Sequence, residues 1–346
     1  MKIGIQLLLL IVICCSCKEE SIFDSSPSER NAKHIRELRK ELTDAPHGWC
    51  VTYFPRTDSL LFTDVKAPIS NYEYNNNYGY GGHCFFMKFS DDGTVETIAD
   101  YDEASITNSH ISEFEVSQNT FTQLSFTTYS YLHRLVNNQF VASSDFLYTG
   151  KDIDGNLVFR TASYIEPARE YIVFTRLKNE KSWAEGMRKV HENISFFQNM
   201  KNPQLVIRKA SRIYFRSDMQ TRSVIADSKD ENARKRKEQE EYQRYHLFLF
   251  AKNPYAPQGW PKEVVGLGSG FVGTTMGLTF RPGIRYSNNY TFYDFRRDGD
   301  RFVCELVKVF DPYSKTERWV SKHLAPNGEE TGVIAEIWDQ FNNQKK

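Results

Sequence analysis

Cysteines that follow an apolar N-terminal run have the setting of a lipid-modified thiol. Residues 3–13 are almost wholly apolar behind the cation of Lys2, a length that suits a secretory signal peptide and is too short for a membrane-spanning helix. Ser16 supplies the small side chain that a lipoprotein signal peptidase accepts before the modified cysteine. The sequence therefore predicts a signal peptide over residues 1–16 and a lipid anchor on Cys17. A short anchor helix with incidental cysteines is the alternative.

The residues directly after Cys17 are charged. Lys18, Glu19 and Glu20 resemble the lipoprotein export signal of Bacteroidota, a lysine followed by two acids. This resemblance implies a chain held by its lipid in the outer membrane, with the body facing the cell exterior. A solvated tether over residues 17–25 is the alternative interpretation of the same charges.

A second segment combines aromatic rings with amides. Tyrosines alternate with Asn and Gly over residues 72–82, and planar rings stack on sugar faces while amides hydrogen-bond hydroxyl groups. The segment is therefore a candidate binding loop, with a mobile Asn-rich linker as the alternative. Its candidate binding residues are Tyr72, Tyr74, Tyr78 and Tyr80.

The cysteines beyond residue 17 are Cys50, Cys84 and Cys304. An odd number gives no disulfide framework, and their spacing fits no metal site. Cys50 and Cys84 lie on predicted strands that can be neighbours, so one cross-strand disulfide is an open alternative to three free, packed thiols.

Motifs for catalysis and cofactors are incomplete. Residues 268–273 fit G-x-G-x-x-G, but Thr274, Thr275 and a further strand follow them, so no helix can begin there to meet a pyrophosphate. We interpret the segment as a glycine-rich loop. Asp100, Asp102 and Glu103 form an acidic cluster that we interpret as solvent-facing. No catalytic residue, metal ligand or cofactor is predicted, and the chain is expected not to be an enzyme.

Charge excludes one class of partner. The chain has 44 basic and 44 acidic side chains, and loss of Lys2 with the signal peptide leaves 43 basic ones and a net charge of −1. The basic run 234–237 lies between acidic residues. Because nucleic-acid binding requires a basic surface, no nucleic-acid partner is expected.

Periodicity and caps predict the elements. Ser26, Pro27 and Glu29 have the spacing of a helix N-terminus, and a helix is expected from Pro27 to about Thr43. Apolar residues spaced 4, 3, 4 and 3 from Trp183 predict a second helix. The predicted strands cover 49–54, 84–89, 94–98, 113–116, 123–129, 145–149, 156–161, 171–177, 205–207, 213–215, 245–250, 276–280, 290–295 and 301–309.

These elements predict an α+β fold, mainly antiparallel β-sheet in two lobes. Aromatic residues make up 14% of the chain and favour half-buried sheet. The fold is expected to include an N-terminal helix, a central connecting helix and C-terminal helices. The predicted regions are the signal peptide 1–16, the tether 17–25, the N-terminal helix and first β lobe 26–178, the connecting helix 179–202, the second β-rich lobe 203–312 and the C-terminal helices 313–346.

Motifs in the N-terminal half carry a family resemblance. Residues 22–24, 28–30 and 42–49, with further matches up to residue 133, resemble the opening of a Bacteroidota lipoprotein family, that of domain of unknown function 4302. Residues 56–80 look inserted relative to this pattern. The resemblance implies a lipoprotein of a nutrient-uptake or surface-adhesion locus, beside outer-membrane transporter and surface-binding components. It supplies no catalytic residues.

Together these features favour a non-enzymatic, surface-exposed accessory lipoprotein that takes part in the capture of a glycan or peptide nutrient. Its expected partners are the outer membrane, through the lipid on Cys17, and a surface transporter complex or an extracellular polymer. A surface hydrolase whose acids converge only in the fold is one alternative. An adhesion or assembly module that binds another surface protein is the other.

Overall fold

The structure is a computed structural model. It describes residues 25–55, 81–137, 142–152, 154–161, 171–178, 182–221, 245–250, 265–285, 290–312 and 315–339. The predicted lipidation residue Cys17, the export signal of residues 18–20 and the four candidate binding tyrosines of residues 72–80 lie outside these ranges. Within them, no helix is both long and apolar enough to cross a membrane.

Helix α1 (Pro27–Thr43) begins and ends as its sequence predicts. The Ser26 hydroxyl accepts a hydrogen bond from the Glu29 backbone N–H, and the Glu29 carboxylate accepts one from the Ser26 backbone N–H. Pro27 opens the helix, where its missing N–H costs nothing. Leu38 and Leu42 are the buried residues of its apolar face.

Eight strands then close an antiparallel barrel in chain order. The barrel closes because β1 pairs with β8 as well as with β2, placing Val51 opposite Phe174. Two short helices, α2 (Glu103–Thr107) and α3 (Tyr131–Asn137), interrupt the series. The strands are β1 (Trp49–Phe54), β2 (His83–Phe89), β3 (Thr94–Ala99), β4 (His110–Gln118), β5 (Thr122–Phe126), β6 (Asp145–Lys151), β7 (Leu157–Arg160) and β8 (Tyr171–Arg176).

Large side chains fill the inside of the barrel. Successive residues of a strand point to opposite faces, so Trp49, Val51 and Tyr53 of β1 face inward together and are fully buried. The rings of Phe89 and Phe114 meet edge to face with centroids 4.8 Å apart. The interior is therefore a packed core, to which α1 contributes Leu38 and Leu42, and α3 contributes Leu132 and Leu135.

After the barrel comes helix α4 (Trp183–Gln198), which begins at the Ser182 cap. It leads into a nine-stranded antiparallel sheet in the order β14-β13-β12-β11-β10-β9-β17-β15-β16, and β14 also pairs with β15, so the sheet curls. Its strands are β9 (Pro203–Lys209), β10 (Arg212–Thr221), β11 (Tyr245–Phe250), β12 (Val265–Gly273), β13 (Gly277–Arg285), β14 (Thr291–Asp298), β15 (Arg301–Asp311), β16 (Thr316–Ser321) and β17 (Glu329–Asp339). The prediction of an α+β fold that is mainly antiparallel β-sheet is confirmed, and the structure builds it from two sheets.

The apolar face of helix α4 is buried between the two sheets. Met187, Val190, Ile194 and Phe197 share one core with Phe54, Phe86 and Ile98 from the outer face of the barrel, and with residues from the curled sheet. The Phe197 ring lies 4.8 Å from that of Phe271 and 5.8 Å from that of Phe302, centroid to centroid. The helix predicted from the 4, 3, 4, 3 spacing is confirmed.

The glycine motif at residues 268–273 lies on strand β12, so its interpretation as a loop is wrong. A Cβ atom at Gly273 would lie 2.5 Å from the Val190 carbonyl oxygen, and one at Gly270 would lie 2.8 Å from the Gly81 Cα. Both distances are shorter than real Cβ contacts, so only glycine fits there. The Gly82 N–H donates to the Phe271 carbonyl across the same contact. The motif therefore brings β12 against α4 and the barrel.

The prediction of C-terminal helices is wrong, because β16 and β17 occupy that region. Val333 and Ile337 are four residues apart, a spacing that suits one face of a helix and also one face of a strand. Between them Ala335 is buried too, which is the period of two that a strand requires. Pairing of β17 with both β15 and β9 provides the hydrogen bonds that decide the conformation. Phe341, which completed the helical pattern, lies outside the described residues.

If α4 holds the two sheets together, Phe197→Ala lowers the free energy of unfolding by about 3–5 kcal/mol, since a fully buried ring is replaced by a cavity. Phe310→Ala is the matched control, because this ring is 64% exposed, and its effect is expected to stay within about 0.5 kcal/mol. Urea denaturation followed by circular dichroism measures both. Equal effects of the two substitutions would contradict the shared core.

Candidate functional site

One end of the barrel collects several side chains that can bind ligands. Strands β1, β3, β5 and β7 end there, and β2, β4, β6 and β8 begin there, because consecutive strands are antiparallel. Helices α2 and α3 lie in two of the connections at this end. Residues 56–80, which contain the candidate binding tyrosines, connect β1 to β2 and so are attached at the same end.

Six rings at this end form a continuous series, which we call the aromatic ladder. Neighbouring ring centroids lie 5.5, 6.4, 5.9, 5.6 and 5.9 Å apart. The ladder starts at a fully buried histidine and reaches a tyrosine that is 51% exposed. In order, its residues are His83, Tyr101, Tyr131, His110, Tyr129 and His133.

Backbone and side-chain hydrogen bonds fix the turn that carries the exposed ring. The Thr127 N–H donates to the Glu113 carbonyl at 3.0 Å, and the Glu113 N–H donates to the Thr128 hydroxyl at 2.7 Å. The Tyr131 hydroxyl donates to the Asn108 carbonyl at 2.8 Å. These contacts hold Tyr129 over the start of β4 before any ligand arrives.

His133 supports Tyr129 as a neutral ring. Burial lowers the pKa of His133, and the nearby Asp145 charge and a hydrogen bond to the Phe126 carbonyl offset this only in part. The Ser130 backbone N–H donates to His133 Nδ1 at 3.1 Å, which requires an unprotonated nitrogen there. Tyr129 therefore lies beside an uncharged imidazole, and the apolar face of a ligand can stack on its ring without a neighbouring charge.

Each member of the acidic cluster has its own structural partner. Asp100 is fully buried, so its interpretation as solvent-facing is wrong; its Oδ2 accepts from the Cys84 N–H at 2.9 Å. Burial alone would raise the pKa of Asp102, but hydrogen bonds from Ser105 and Arg134 outweigh burial and lower it. The Arg188 Nη2 lies 2.9 Å from Glu103 and so joins α4 to α2.

A second polar cluster lies within the curled sheet. The Ser321 hydroxyl and His323 Nδ1 are 2.7 Å apart, and the Asp294 charge acts on both His323 and Cys304. Ser321 is 3% exposed, and burial raises the pKa of the Cys304 thiol far above its usual range. A covered hydroxyl and a protonated thiol provide no nucleophile for a substrate in solution.

A groove of about 680 Å³ lies between α1 and strands β5 and β6. Glu41 on its wall pairs with Lys151 at 2.9 Å and with Arg176 at 2.5 Å. Burial alone would raise the pKa of Glu41, but these two cations outweigh burial and lower it. These two ion pairs neutralise Glu41 and hold α1 against the barrel, so we assign Glu41 a structural role. In the described ranges, no three His, Cys, Asp or Glu side chains are placed to hold a metal ion.

The two cysteines considered for a disulfide lie side by side. Thr52 pairs with Cys84 and Cys50 with Phe86, so the cysteines form a diagonal pair on the outer face of β1 and β2. Their sulfur atoms are 3.6 Å apart, and both thiols are free in this structure. The disulfide stays a prediction.

Sequence reasoning did not identify the ladder. Its six residues come from β2, β4, the connection after β3, the turn after β5 and α3, and only the closed barrel brings these together. The local signal that could have indicated it is the occurrence of Tyr129, Tyr131 and His133 within five residues.

Comparison with known proteins gives one match. A family model described as a domain of unknown function (DUF4302) matches residues 19–299, which is more than half of the chain. No curated protein matches the chain, and neither does any solved structure. Strands β15–β17, which complete the curled sheet, follow the matched range.

From the sulfur geometry we expect glutathione disulfide to oxidise Cys50 and Cys84 to a disulfide. Because the bond closes a long chain loop, it raises the free energy of unfolding by about 2–4 kcal/mol. Peptide mapping after alkylation identifies the linkage, and Cys84→Ser is the control that abolishes it. Recovery of both residues as alkylated thiols after oxidation would rule the bond out.

Stability is also expected to depend on pH near neutrality. Burial lowers the pKa of His133 and of His323, so below their unfolded pKa of about 6.5 the unfolded chain binds more protons than the folded one. The melting temperature therefore falls as the pH decreases from about 7.5 to 5.5. In His133→Gln this fall is smaller, as differential scanning fluorimetry measures. An unchanged fall in the variant would contradict the assignment to His133.

Proposed function

We propose that this chain, which belongs to the DUF4302 family of unknown function, is a cell-surface lipoprotein that binds a glycan nutrient and performs no chemistry on it. The sequence supports the location, through the predicted lipid on Cys17 and the predicted export signal at Lys18, Glu19 and Glu20. The aromatic ladder supports the binding role. In this proposal the protein presents its glycan to an outer-membrane transporter complex.

The observation that carries the proposal is the exposed and fixed ring of Tyr129. It is 51% exposed, and its centroid lies 5.6 Å from that of His110 and 5.9 Å from that of His133. A ring held in this way loses little conformational freedom when a sugar stacks on it. The apolar face of a pyranose suits such a surface.

Polar groups at the same end suit the hydroxyl groups of a sugar. Asp102 and Arg134 form an ion pair at 3.3 Å, and the Arg134 guanidinium lies over the Tyr101 ring at 5.0 Å from its centroid. Asn108, whose backbone carbonyl accepts a hydrogen bond from the Tyr131 hydroxyl, is exposed on the connection after α2. Fixed charged and amide groups around an aromatic face are the usual composition of a small-ligand site.

Binding is favoured over hydrolysis because the acids at this end already have partners. Asp100 is buried against the Cys84 N–H, Asp102 caps α2, and Glu103 pairs with Arg188. A glycosidase requires two carboxyl groups that face one substrate bond. Binding is favoured over adhesion because most of the large exposed apolar side chains among the described residues lie on different elements, as Phe121, Ile213, Met276 and Leu324 show.

The test is Tyr129→Ala, with binding to a panel of neutral oligosaccharides followed by affinity electrophoresis. Loss of the stacking face is expected to weaken binding by about tenfold or more, while Tyr129→Phe, which keeps the ring, stays within about threefold. Tyr214→Ala is the matched control, since this tyrosine is 48% exposed on the curled sheet.

Two results would contradict the proposal. One is equal binding by the wild type and Tyr129→Ala to every glycan that binds. The other is binding that Tyr214→Ala weakens as much as Tyr129→Ala does.

A further inference from the structure

We propose that a groove on the curled sheet binds a monosaccharide-sized molecule that carries an oxyanion, a carboxylate or a phosphate. The groove, of about 490 Å³, lies between α4 and the turns of the β12–β13 and β14–β15 hairpins. Three cations, Lys189, Arg296 and Arg297, line it with a single acid, Glu192. The proposal goes beyond the proposed glycan site and does not depend on it.

Arg297 is fixed in place before any ligand arrives. Its guanidinium lies 4.1 Å from the Phe196 ring centroid, and its Nη1 donates to Asn193 Oδ1 at 3.3 Å. Asn193 is only 5% exposed, and its Nδ2 donates to the Thr274 carbonyl at 2.9 Å. A guanidinium held in this way still presents N–H groups and loses little entropy on binding an oxyanion.

The two hairpin turns that form the walls are tied together. The Arg297 backbone N–H donates to the Met276 carbonyl at 2.8 Å, which links the β14–β15 turn to the β12–β13 turn. Within the latter turn, the Thr274 N–H donates to the Gly277 carbonyl at 2.8 Å. A Cβ atom at Gly277 would overlap the Phe295 carbonyl, so the turns pack as closely as glycine allows. The two turns that line the groove are therefore fixed relative to each other.

The charges of the groove favour an anion. Arg301, on the same hairpin, pairs with Asp298 and Glu336, each at 2.8–2.9 Å. In the described part of the chain, neither Arg296 nor Arg297 has a carboxylate within ion-pair distance. The Arg297 guanidinium therefore keeps a charge that a bound oxyanion can pair with.

The apolar wall and the size narrow the ligand class. Met276 is 52% exposed at the rim and offers a flexible apolar surface for the body of the ligand. Ligand sites of about 300–1,000 Å³ suit small molecules, and this groove lies at the lower end of that range. Acidic monosaccharides, whether uronic acids or sugar phosphates, combine a compact body with the required oxyanion.

Isothermal titration calorimetry of the full chain tests the site with galacturonate and glucose 6-phosphate as probes, and galactose and glucose as neutral controls. At least one acidic probe is expected to bind, and Arg297→Gln to weaken it about tenfold. Arg297→Lys keeps the charge but lacks the planar guanidinium, so its affinity for the probe is expected to lie between those of the wild type and Arg297→Gln. Binding of galacturonate alone identifies a carboxylate site, and binding of glucose 6-phosphate alone a phosphate site.

Control variants separate this site from the rest of the protein. Arg212→Gln removes an exposed guanidinium that also lies over a ring, that of Tyr214, and is expected to leave acidic-probe binding unchanged. Tyr129→Ala is likewise expected to leave it unchanged, so failure of the glycan proposal does not affect this result. If Arg297→Gln lowers the melting temperature, Lys189→Gln removes a cation that lines the same groove and leaves the contact of Arg297 with Phe196 in place.

The proposal is overturned if neither acidic probe binds at about 10 mM. It is equally overturned if the neutral sugars bind as well as the acidic ones. A third contrary result is that Arg297→Gln binds the acidic probe with an affinity within twofold of the wild type.

Discussion

The arrangement of the molecule depends on helix α4 being buried on two sides at once. Residues such as Met187 and Phe197 lie in one core with the outer face of the barrel and the inside of the curled sheet. Each such side chain contributes about 1.5–3 kcal/mol when fully buried, so separating the sheets would expose several of them together. Gly270 and Gly273 permit the close approach that this core requires. The same helix forms one wall of the groove that Arg297 lines. Through the ion pair of Arg188 with Glu103 it also supports α2, at the end of the barrel that carries the aromatic ladder.

Fixed geometry and paired charges in the described part of the chain are the basis on which we propose recognition rather than catalysis. At the ladder end, Asp100 and Asp102 serve the backbone and helix cap, while the neutral His133 supports Tyr129. Within the curled sheet, burial keeps the Cys304 thiol protonated by raising its pKa. The described residues offer an aromatic face at one end of the barrel and the guanidinium of Arg297 in a groove of the curled sheet.

Local rules predicted the elements whose signals are local. The cap at Ser26 and the 4, 3, 4, 3 spacing gave α1 and α4, and the alternating strands with their turns gave the antiparallel class. The prediction of C-terminal helices was wrong because the spacing of Val333 and Ile337 fits both a helix and a strand. Only the pairing of β17 with β9 and β15 decides between the two. Closure of the barrel and assembly of the ladder depend on contacts between distant residues, which periodicity does not encode.

Display at the cell surface is the condition on which nutrient capture rests, and protease treatment of intact cells tests it most directly. We expect protease to remove the wild-type protein from intact cells but to spare a variant with Lys18, Glu19 and Glu20 all changed to Ala. Cys17→Ala is expected to release the protein from the membrane fraction. The contrary result is a wild-type protein that resists protease in intact cells and is cut only after lysis. The body would then face the periplasm, where it could not capture an external polymer.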